Sequence, residues 1–323
     1  IFAIIFISCA AFLKTDEKLI NYVDPFIGSG GHGHVFVGAN VPFGGVQVGP
    51  TNFNKGWDWS SSYHHTDSIV KGFCHINVSG TGMSDLGELT IMPATGELKT
   101  GAGTQENHMA GYSSLYRKNK EFATAGYYKV HLERYDIDVE LTATERVGLH
   151  NYIFPDAEKS RIIIDLGEGS ADRPTETYIK KVNDTLFEGH RFSTGWARDQ
   201  REYFSLIISK PVSDFIIYDR HKKFKGIERK GDYVKGFLEF STEKNEKIMV
   251  KMGISTVSSK NALENMMIEL PHWDFDRVKK NAEQKWENEL AKIKIKTKDK
   301  KKKRVFYTAM YHTMIAPNLY HDL

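Results

Sequence analysis

A two-residue alternation of apolar and polar side chains is the feature that most restricts how this chain can fold. It is clearest in the run YYKVHLERYDIDVELTATERVGLHNY. There Val130 and Leu132, and then Ile137, Val139 and Leu141, stand at every second position. Because successive side chains of a strand point to opposite faces, each run predicts a half-buried antiparallel strand.

Similar short runs fill the chain from Asn21 to about Leu270. They are rich in Val, Ile, Tyr, Phe and Thr and are separated by Gly, Pro, Asn and Asp, and the aromatic content of 12% suits strands. This stretch has no strand–helix–strand rhythm, which disfavours a doubly wound parallel sheet. We therefore predict a mainly β protein in which residues 21–270 form a large antiparallel β-sandwich.

The period changes in PHWDFDRVKKNAEQKWENELAKIKIK. Apolar residues now recur at steps of three and four, which predicts one buried stripe on a helix with Asp274 as its N-cap. The stripe consists of Phe275, Val278, Ala282, Trp286, Leu290 and Ile293. We expect residues 271–304 to form a helical linker that ends in the basic run KTKDKKKKR, Lys296 to Arg304, as a solvated loop. The net charge of +3 is too small to indicate a nucleic-acid partner.

A second helical run, RVFYTAMYHTMIAPNLY, is apolar on most sides and is typical of a core helix. A single core helix cannot bury its own surface. We therefore expect residues 305–323 to be the start of a helical domain that continues beyond Leu323.

The first residues, IFAIIFISCAAFLK, form an apolar run that is too short to span a bilayer and resembles a secretory signal. The motif FISC resembles a bacterial lipobox, so we predict a leader over residues 1–20 with lipidation at Cys9. A plain signal peptide is the alternative. The chain has two cysteines, Cys9 and Cys74, so no disulfide framework is expected. We expect a secreted bacterial protein, either periplasmic or a cell-surface lipoprotein, that touches a membrane only through its lipid.

The stretch GSGGHG, from Gly28 to Gly33, has the spacing of a dinucleotide-binding loop. Such a loop needs a strand before it and a helix after it, so that the helix N-terminus faces the phosphates. The flanks NYVDPFI and HVFVGANVPFGGVQVGP contain Pro25, Pro42 and β-branched residues and show no helical stripe. The sequence therefore argues against nucleotide binding.

The neighbouring segments concentrate side chains that suit ligand binding. WDWSSSYHHTDS and GFCHINVSGTGMSDLGEL bring Trp, His, Asp and Ser close together, with glycines that let backbones approach each other. In the GHGH stretch, alternation in an extended chain places both imidazoles on one side. The candidate site residues are Trp57, Trp59, His32, His34, His64, His65, Asp67, Ser79 and Asp85.

Three interpretations of this cluster stay open. His32 and His34 with a carboxylate resemble a zinc site, although no second compact ligand pair accompanies them. Tryptophan faces stack on sugars while Asp, His and Ser bind hydroxyl groups, which describes a carbohydrate site. The same residues also occur as buried side chains that tie loops onto a sandwich. For the cluster as a whole, the composition favours carbohydrate binding.

Long motifs in these and later segments resemble glycoside hydrolase family 92, the calcium-dependent exo-α-mannosidases of bacteria. They cover nearly everything after the leader, in order. The motifs are YVDPFIGSGGHGHVFVGANVPFGGVQVGP, SSYHHTDSIVKGFCHINVSGTGMSDLGEL, AGYYKVHLERYDIDVELTATERVGLHNYIFP, IIIDLG, GISTVSSKNALENMMIELPHWDFD and FYTAMYHTMIAPNLY.

The resemblance implies an N-terminal β-sandwich, a helical linker and an (α/α)6 barrel that hydrolyses terminal α-mannosides with inversion. One carboxylic acid protonates the leaving oxygen and a second carboxylate activates water on the opposite face of the sugar. Calcium is expected to hold sugar hydroxyl groups. The family's catalytic carboxylates and calcium ligands belong to the barrel, so we assign none of them to this chain and expect them beyond Leu323.

The resemblance further implies that the N-terminal domain lends loops to the sugar pocket. We expect Trp57 and Trp59 to stack on sugar, and His32, His34 and the remaining candidates to line the pocket. The expected substrates are mannose-containing glycans, either N-glycans or mannans, with an α-1,2 preference, and this portion alone is expected to be inactive. A non-catalytic surface glycan receptor is the alternative, and a zinc enzyme complete within the chain is a third hypothesis.

Overall fold

The computed structural model describes residues 17–323 and has two large antiparallel sheets followed by three α-helices. The predicted mainly β architecture, with a sandwich first and helices after it, is confirmed. The predicted leader falls almost entirely, with Cys9, outside the described residues.

Nineteen strands are described, many of them short. They are β1 (Ala39–Asn40), β2 (Gln47–Thr51), β3 (Ile69–Val70), β4 (Gly72–Cys74), β5 (Thr90–Thr95), β6 (Ser114–Leu115), β7 (Glu121–Thr124), β8 (Tyr127–Leu132), β9 (Ile137–Ala143), β10 (Val147–Phe154), β11 (Ala157–Asp165), β12 (Arg173–Lys181), β13 (Leu186–Thr194), β14 (Gln200–Ile208), β15 (Asp214–Asp219), β16 (Lys222–Phe224), β17 (Glu228–Gly231), β18 (Val234–Thr242) and β19 (Glu246–Ser255). Short 3₁₀ turns occur at Leu19–Tyr22, Trp57–Trp59, His108–Ala110 and Lys118–Lys120.

The strands form one eight-stranded and one nine-stranded sheet. The first has the order β1-β2-β4-β5-β11-β18-β15-β16, and the second has the order β17-β12-β13-β14-β19-β10-β9-β8-β7. Strands β3 and β6 make a separate small pair. Every pairing that the structure describes is antiparallel, as the alternating sequence pattern predicts.

The alternation in β8 and β9 has the predicted effect on burial. Val130 pairs with Val139, and Leu132 pairs with Ile137 across the ladder. These side chains and Leu141 are at most 1% exposed, while residues between them reach solvent. Burying each of them removes a whole aliphatic side chain from water, which stabilises the fold by roughly 1.5–3 kcal/mol per residue.

The core lies between the two sheets. Ile162 and Ile164 of β11 and Phe237 of β18 belong to the eight-stranded sheet, and Leu206 of β14 and Val250 of β19 belong to the nine-stranded sheet. All of these side chains are fully buried in one continuous apolar cluster. The sandwich therefore provides a rigid base from which the long connecting loops project.

Three helices follow the sandwich, α1 (Ser259–Glu269), α2 (Phe275–Leu290) and α3 (Lys300–His312). Each begins at a side chain that accepts a backbone N–H of its first turn: Ser258, Asp274 and Asp299. The predicted N-cap at Asp274 is therefore confirmed. Most of the predicted stripe of α2 is buried, but Ile293 lies beyond the helix end and is 52% exposed.

The prediction that strands and loops continue up to Leu270 is wrong at its end, where the chain forms helix α1. Its apolar face packs onto the nine-stranded sheet through Met266, which lies in one cluster with Val147 and Leu149. A Cβ on Gly253 of β19 would stand 2.3 Å from the carbonyl oxygen of Ala262, so the missing side chain lets α1 approach the sheet closely. The helix has only 11 residues, too few for its period to stand out in the sequence.

Helix α3 begins and ends at other residues than predicted for the second helical run. It starts inside the basic stretch, because the Asp299 carboxylate accepts hydrogen bonds from the backbone N–H groups of Lys301 and Lys302 at 3.0 and 3.1 Å. The predicted solvated loop thus contains the first helical turn. The helix ends at His312, shortly before Pro317, and the residues after that proline lie outside any helix.

Trp286 fastens the helices to the sandwich. Its indole is fully buried, its Nε1–H donates to the carbonyl oxygen of Asn40 at 2.8 Å, and its ring centroid lies 4.5 Å from that of Tyr311 on α3. The Glu287 carboxylate accepts the backbone N–H groups of Leu19 and Ile20, which ties the start of the described chain to α2. One cluster therefore joins the chain start, the β1 edge and both helices.

We predict that Trp286→Ala lowers the free energy of unfolding by about 3–5 kcal/mol, because it removes a large buried ring and leaves the Asn40 carbonyl without its donor. Urea unfolding followed by circular dichroism measures this change. The matched control is Lys280→Ala on the exposed side of α2, which should change the stability by less than about 0.5 kcal/mol. Equal effects of the two substitutions would show that Trp286 does not fasten the helices.

A series of buried side chains joined by hydrogen bonds crosses the sandwich. His75 Nδ1 bonds the carbonyl oxygen of Leu89 at 2.7 Å, His75 Nε2 lies 2.9 Å from His150 Nε2, and His150 Nδ1 lies 2.7 Å from the Tyr152 hydroxyl. Because the Leu89 carbonyl only accepts, His75 carries its proton on Nδ1. His150 then donates from Nε2 and accepts the Tyr152 proton on Nδ1. Burial lowers the pKa of His75 from 6.5 to about 4, and burial followed by the charge on His75 lowers the pKa of His150 well below its usual value.

We predict that acid destabilises the protein through these two imidazoles. Between pH 6.5 and about pH 4 the unfolded chain binds protons that the folded chain excludes, so the free energy of unfolding falls as the pH falls through this range. For one such histidine the loss is on the order of 2 kcal/mol at pH 5. Urea unfolding at pH 7 and pH 5 measures it, and His150→Gln should flatten the dependence. The control His65→Gln replaces an exposed imidazole, and an identical pH dependence in both variants would exclude the buried pair as its source.

Candidate functional site

The glycine-rich stretch forms a tight loop that folds back on itself. A Cβ on Gly33 would lie 1.8 Å from the carbonyl oxygen of Gly28, which is closer than any side chain tolerates. Gly28 has a φ of +91°, a conformation that favours glycine. The glycines therefore close a turn that presents His32 and His34, and the residues that follow form neither helix nor strand. The prediction that an extended chain places both imidazoles on one side is wrong, because His34 has a φ of +53° and is buried while His32 is exposed.

Asp58 lies between these two histidines and was not among the predicted residues. Its Oδ1 is 2.6 Å from His32 Nδ1 and 3.5 Å from His34 Nε2. The hydrogen bond with His32 is the largest influence and lowers the pKa of the Asp58 carboxyl below its usual value. The His32 side chain is 75% exposed, whereas His34 is almost fully buried. The glycine loop is thereby linked to the loop that carries the tryptophans.

Trp57 combines a fixed position with a free surface. Its Nε1–H donates to the carbonyl oxygen of Gly82 at 2.6 Å, and its ring meets His34 edge-on at a centroid distance of 4.2 Å. The His32 ring lies 5.2 Å away. The Trp57 side chain nevertheless remains 56% exposed. A rigid exposed indole surrounded by imidazole and carboxylate groups is the arrangement that suits stacking against a sugar ring.

Trp59 lies in a different environment, because its neighbours occupy its surface. Its ring stacks on His64 at 4.3 Å, and its Nε1–H donates to the buried Asp67 carboxylate at 3.0 Å. Lys55 also reaches Asp67, at 2.9 Å, and lies 5.2 Å from the Trp59 ring centroid. These contacts brace the loop internally, so Trp57 offers the more accessible ring.

His65 and Ser79 hold the loops against the beginning of the domain. His65 is exposed, meets Phe26 edge-on at 5.7 Å, and its backbone N–H donates to the Ser29 carbonyl at 2.8 Å. The Ser79 hydroxyl oxygen accepts the backbone N–H of Phe36 at 3.1 Å. Through these contacts both residues stabilise the position of the loops.

Asp85 contacts Trp196, a tryptophan that was not among the predicted residues. Its Oδ2 accepts the backbone N–H of Trp196 at 3.2 Å and the Gln200 amide at 2.9 Å. Trp196 is 75% exposed. Gly82 and Asp85 belong to one loop, so this loop supports Trp57 at one end and Trp196 at the other. The signal in the sequence was a tryptophan in the polar, glycine-containing stretch STGWARDQ.

A cluster of buried ionisable side chains lies at the end of the same loop. The Arg191 guanidinium contacts the Glu88 carboxylate at 2.7 Å and also contacts Asp172, and all three side chains are inaccessible to solvent. Burial raises the pKa of Glu88 to about 8, against the opposing effect of Arg191. Because Arg191 or Asp172 would be left as a buried unpaired charge without the other, the cluster fixes the end of the loop. Neither Arg191 nor Asp172 has a local sequence motif that would have revealed it.

The described residues were compared with the side-chain arrangements that hold metal ions and with those that cross membranes. In this part of the chain no group of three or more His, Cys, Asp or Glu side chains is arranged to hold a metal ion. Among the same residues, no helix is long and apolar enough to cross a membrane.

Comparison with known protein families identifies the chain. Two family matches place it among the glycoside hydrolases: the glycosyl hydrolase family 92 N-terminal domain matches residues 22–255, and the catalytic domain of that family matches residues 261–323. The chain belongs to glycosyl hydrolase family 92, which confirms the resemblance found in the sequence.

Relatives of known structure share the fold closely. The chain is 33% identical to the family GH92 α-mannosidase BT3965 from Bacteroides thetaiotaomicron, solved in complex with mannoimidazole, with a TM-score of 0.91 over 95% of this chain and 41% of that one. The inverting mannosidase BT2199 from Bacteroides thetaiotaomicron VPI-5482 is 24% identical, with a TM-score of 0.82 over 94% and 40%, and shows the fold alone.

An uncharacterized secreted glycosidase of Arthroderma benhamiae is 25% identical over 346 residues, which cover 94% of this chain and 42% of the relative. The chain thus spans about two fifths of the length of the relatives it matches.

Proposed function

We propose that this chain is the N-terminal portion of a secreted bacterial exo-α-mannosidase, and that its loops bind the glycan while other parts of the enzyme supply the catalytic carboxylates. The observation that carries the proposal is Trp57, an exposed indole held by Gly82 and flanked by His32 and His34. The α-mannosidase BT3965, whose structure contains a mannose-like ligand, supports mannose as the sugar.

The full enzyme then hydrolyses terminal α-mannosides of N-glycans or mannans with inversion, with an α-1,2 preference. Within this chain, the Trp57 face packs on the C–H groups of a mannose ring, and the exposed His32, oriented by Asp58, bonds a hydroxyl group. Of the other candidates, His34, His64, Asp67 and Ser79 hold these loops in place. The family resemblance implies calcium, and among residues 17–323 no group of three or more His, Cys, Asp or Glu side chains is arranged to hold a metal ion. We place it, with the catalytic groups, outside this chain.

We further propose that the enzyme reaches the periplasm or the cell surface as a lipoprotein modified at Cys9. The secreted glycosidase of Arthroderma benhamiae supports export. Apart from the lipid at Cys9, the proposal includes no contact with a membrane and none with nucleic acid.

We predict that the 323-residue chain alone releases no mannose from α-1,2-mannobiose. The reason is that no residue of this chain is assigned to proton transfer, and the chain spans about two fifths of its relatives. Chromatographic detection of free mannose after long incubation measures this. Release that rises in proportion to the amount of chain, and that is absent from a mock preparation, would contradict the assignment of catalysis to other parts of the enzyme.

We predict that Trp57→Ala weakens the binding of an α-1,2-linked mannotetraose to this chain by about 10- to 100-fold, since stacking on an aromatic face and the area it buries contribute roughly 1–3 kcal/mol. Isothermal titration calorimetry measures the change. Trp273→Ala is the matched control because this tryptophan packs beside α1 and α2, outside the loop cluster. An unchanged affinity in the Trp57 variant would exclude the proposed stacking surface.

A surface glycan receptor without catalysis is the second candidate function, and the same exposed indole supports it. The two functions differ in turnover by the complete protein. An enzyme releases mannose from the bound mannotetraose, whereas a receptor binds it and leaves it intact.

A further inference from the structure

Positive charge is concentrated where α2 is joined to α3. Residues 292–304, which we call the basic junction, contain eight lysines, one arginine and one aspartate, whereas the whole chain has a net charge of only +3. The remainder of the chain is therefore net acidic. A protein with this charge distribution turns its basic side toward an anionic partner, because the rest of its surface is repelled.

Most cations of the basic junction have no acidic partner. Lys292 pairs with Glu289 at 2.6 Å, and Arg304 pairs with Asp24 at 3.6 Å. Five exposed lysines form no ion pair with any residue that the structure describes. They are Lys294, Lys296, Lys298, Lys300 and Lys301. Their charges are available to a partner outside the chain.

The backbone that carries these lysines is fixed to α3. The buried Tyr307 hydroxyl accepts the backbone N–H of Ile295 at 3.3 Å and donates to the carbonyl oxygen of Ile293 at 3.2 Å. Ile295 and Thr297 are half-buried, whereas the lysines on either side of them are exposed. The basic junction therefore presents its lysines to solvent from a backbone that is held in place.

Exposed apolar side chains lie among the cations. Ile293, between Lys292 and Lys294, is 52% exposed, and Val305, directly after the last cation, is 54% exposed. A nucleic acid binds cations through its phosphates, whereas a membrane surface takes up cations at its headgroups and apolar side chains at the acyl boundary. The combination favours an anionic membrane as the partner.

The start of the described chain packs against the same junction. Lys303 Nζ lies 4.9 Å from the Tyr22 ring centroid and donates a hydrogen bond to the Tyr22 hydroxyl at 3.3 Å. Cys9 precedes Glu17 by eight residues. A lipid on Cys9 would be attached at most about 30 Å from Glu17, since one residue spans no more than about 3.6 Å. Such a lipid would hold the basic junction close to the bilayer.

We propose that the basic junction is a membrane-contact surface, whose five unpaired lysines bind the anionic headgroups of phospholipids while Ile293 enters the headgroup layer. The inference goes beyond the proposed function, in which the lipid at Cys9 is the only membrane contact. The choice of a membrane as the partner rests in part on that lipid. The unpaired charges, their fixed backbone and the exposed isoleucine are independent of it and of the Trp57 surface.

The test measures sedimentation of residues 17–323 with lipid vesicles. This portion contains every helix and strand of the described structure and lacks the apolar leader, which would bind lipid by itself. We expect it to bind vesicles of phosphatidylglycerol and phosphatidylcholine at low salt, to dissociate at high salt and to ignore vesicles of phosphatidylcholine alone. Absence of binding to the anionic vesicles, or equal binding to both kinds, overturns the proposal.

Neutralising the five lysines locates the contact. Substituting glutamine at all five positions should weaken binding to the anionic vesicles at least about 100-fold, since each basic side chain near an anionic surface strengthens binding about fivefold. The matched control removes five other exposed lysines and changes the net charge equally, and it should stay within about fivefold of the parent. It consists of Lys222→Gln, Lys223→Gln, Lys225→Gln, Lys244→Gln and Lys247→Gln. Equal losses in the two variants would show that total charge, not the basic junction, causes binding.

Ile293 distinguishes a membrane from a nucleic acid. Ile293→Ser should weaken vesicle binding about three- to tenfold, because the isoleucine then leaves no apolar side chain at that position to enter the headgroup layer. A DNA duplex that binds more tightly than the vesicles, together with no effect of Ile293→Ser on either, would identify a nucleic-acid surface and overturn the membrane proposal.

Thermal unfolding separates binding from folding. Since the five lysines form no ion pair in the described part of the chain, their substitution should leave Tm unchanged. If Tm falls, the three substitutions that precede α3, Lys294→Gln, Lys296→Gln and Lys298→Gln, replace the larger set, with an expected loss of at least about tenfold.

The complete protein without its leader provides the final comparison. It should bind the anionic vesicles with the same dependence on the five lysines, and loss of binding there would show that the rest of the protein covers the junction, which overturns the proposal. Either failure leaves mannoside binding at Trp57 and lipidation at Cys9 untouched, because neither is present in the vesicle assay. Conversely, an unlipidated Cys9 in the exported protein would remove the lipid and leave the vesicle result standing.

Discussion

The burial of apolar strand faces between two antiparallel sheets is the constraint on which the rest of this structure depends. Side chains such as Ile162 and Leu206 can leave water only if both sheets keep their register, since a slip by one residue moves every side chain to the opposite face. The sheets are therefore rigid, and the long connections between their strands have fixed starting and end points. The indole of Trp286 extends this rigidity to the helices by joining α2 and α3 to the β1 edge.

Polar contacts then decide which loop residues are free to bind a ligand. The loop that contains Gly82 and Asp85 contacts Trp57 on one side and Trp196 on the other, and the buried Arg191 cluster supports it from within the sandwich. The Asp67 carboxylate accepts a hydrogen bond from the Trp59 indole and forms an ion pair with Lys55. The two tryptophans of the WDW stretch thus differ in the exposure of their rings. The partners of Trp59 cover its ring, whereas those of Trp57 leave one face of the ring open to solvent.

The sequence predicted those features that depend on local pattern. Alternation predicted the strands, the spacing of Val278, Ala282, Trp286 and Leu290 predicted α2, and Asp274 was recognised as its cap. Helix α1 escaped detection because its short segment shows little periodicity and gains its stability from packing on β19. The basic run was misread because lysines suit both a solvated loop and a helix, and the cap at Asp299 decides between them.

The candidate site was predicted in composition but not in arrangement. Asp58 and Trp196 belong to the site through contacts between residues far apart in the chain, such as the hydrogen bond from the Trp196 backbone N–H to Asp85. Such contacts leave no spacing signature that one sequence can show. The motif GSGGHG illustrates the same limit, since its glycines fit a phosphate loop in spacing and instead close a turn in which Gly33 meets the Gly28 carbonyl.

The central claim is that the exposed face of Trp57 binds mannoside. The most direct measurement follows the indole N–H signals of ¹⁵N-labelled chain by NMR during titration with α-1,2-mannobiose. The account predicts that the Trp57 signal shifts and saturates, while the signal of Trp286, buried and bonded to the Asn40 carbonyl, stays in place. A Trp57 signal that remains stationary at saturating sugar would contradict the account.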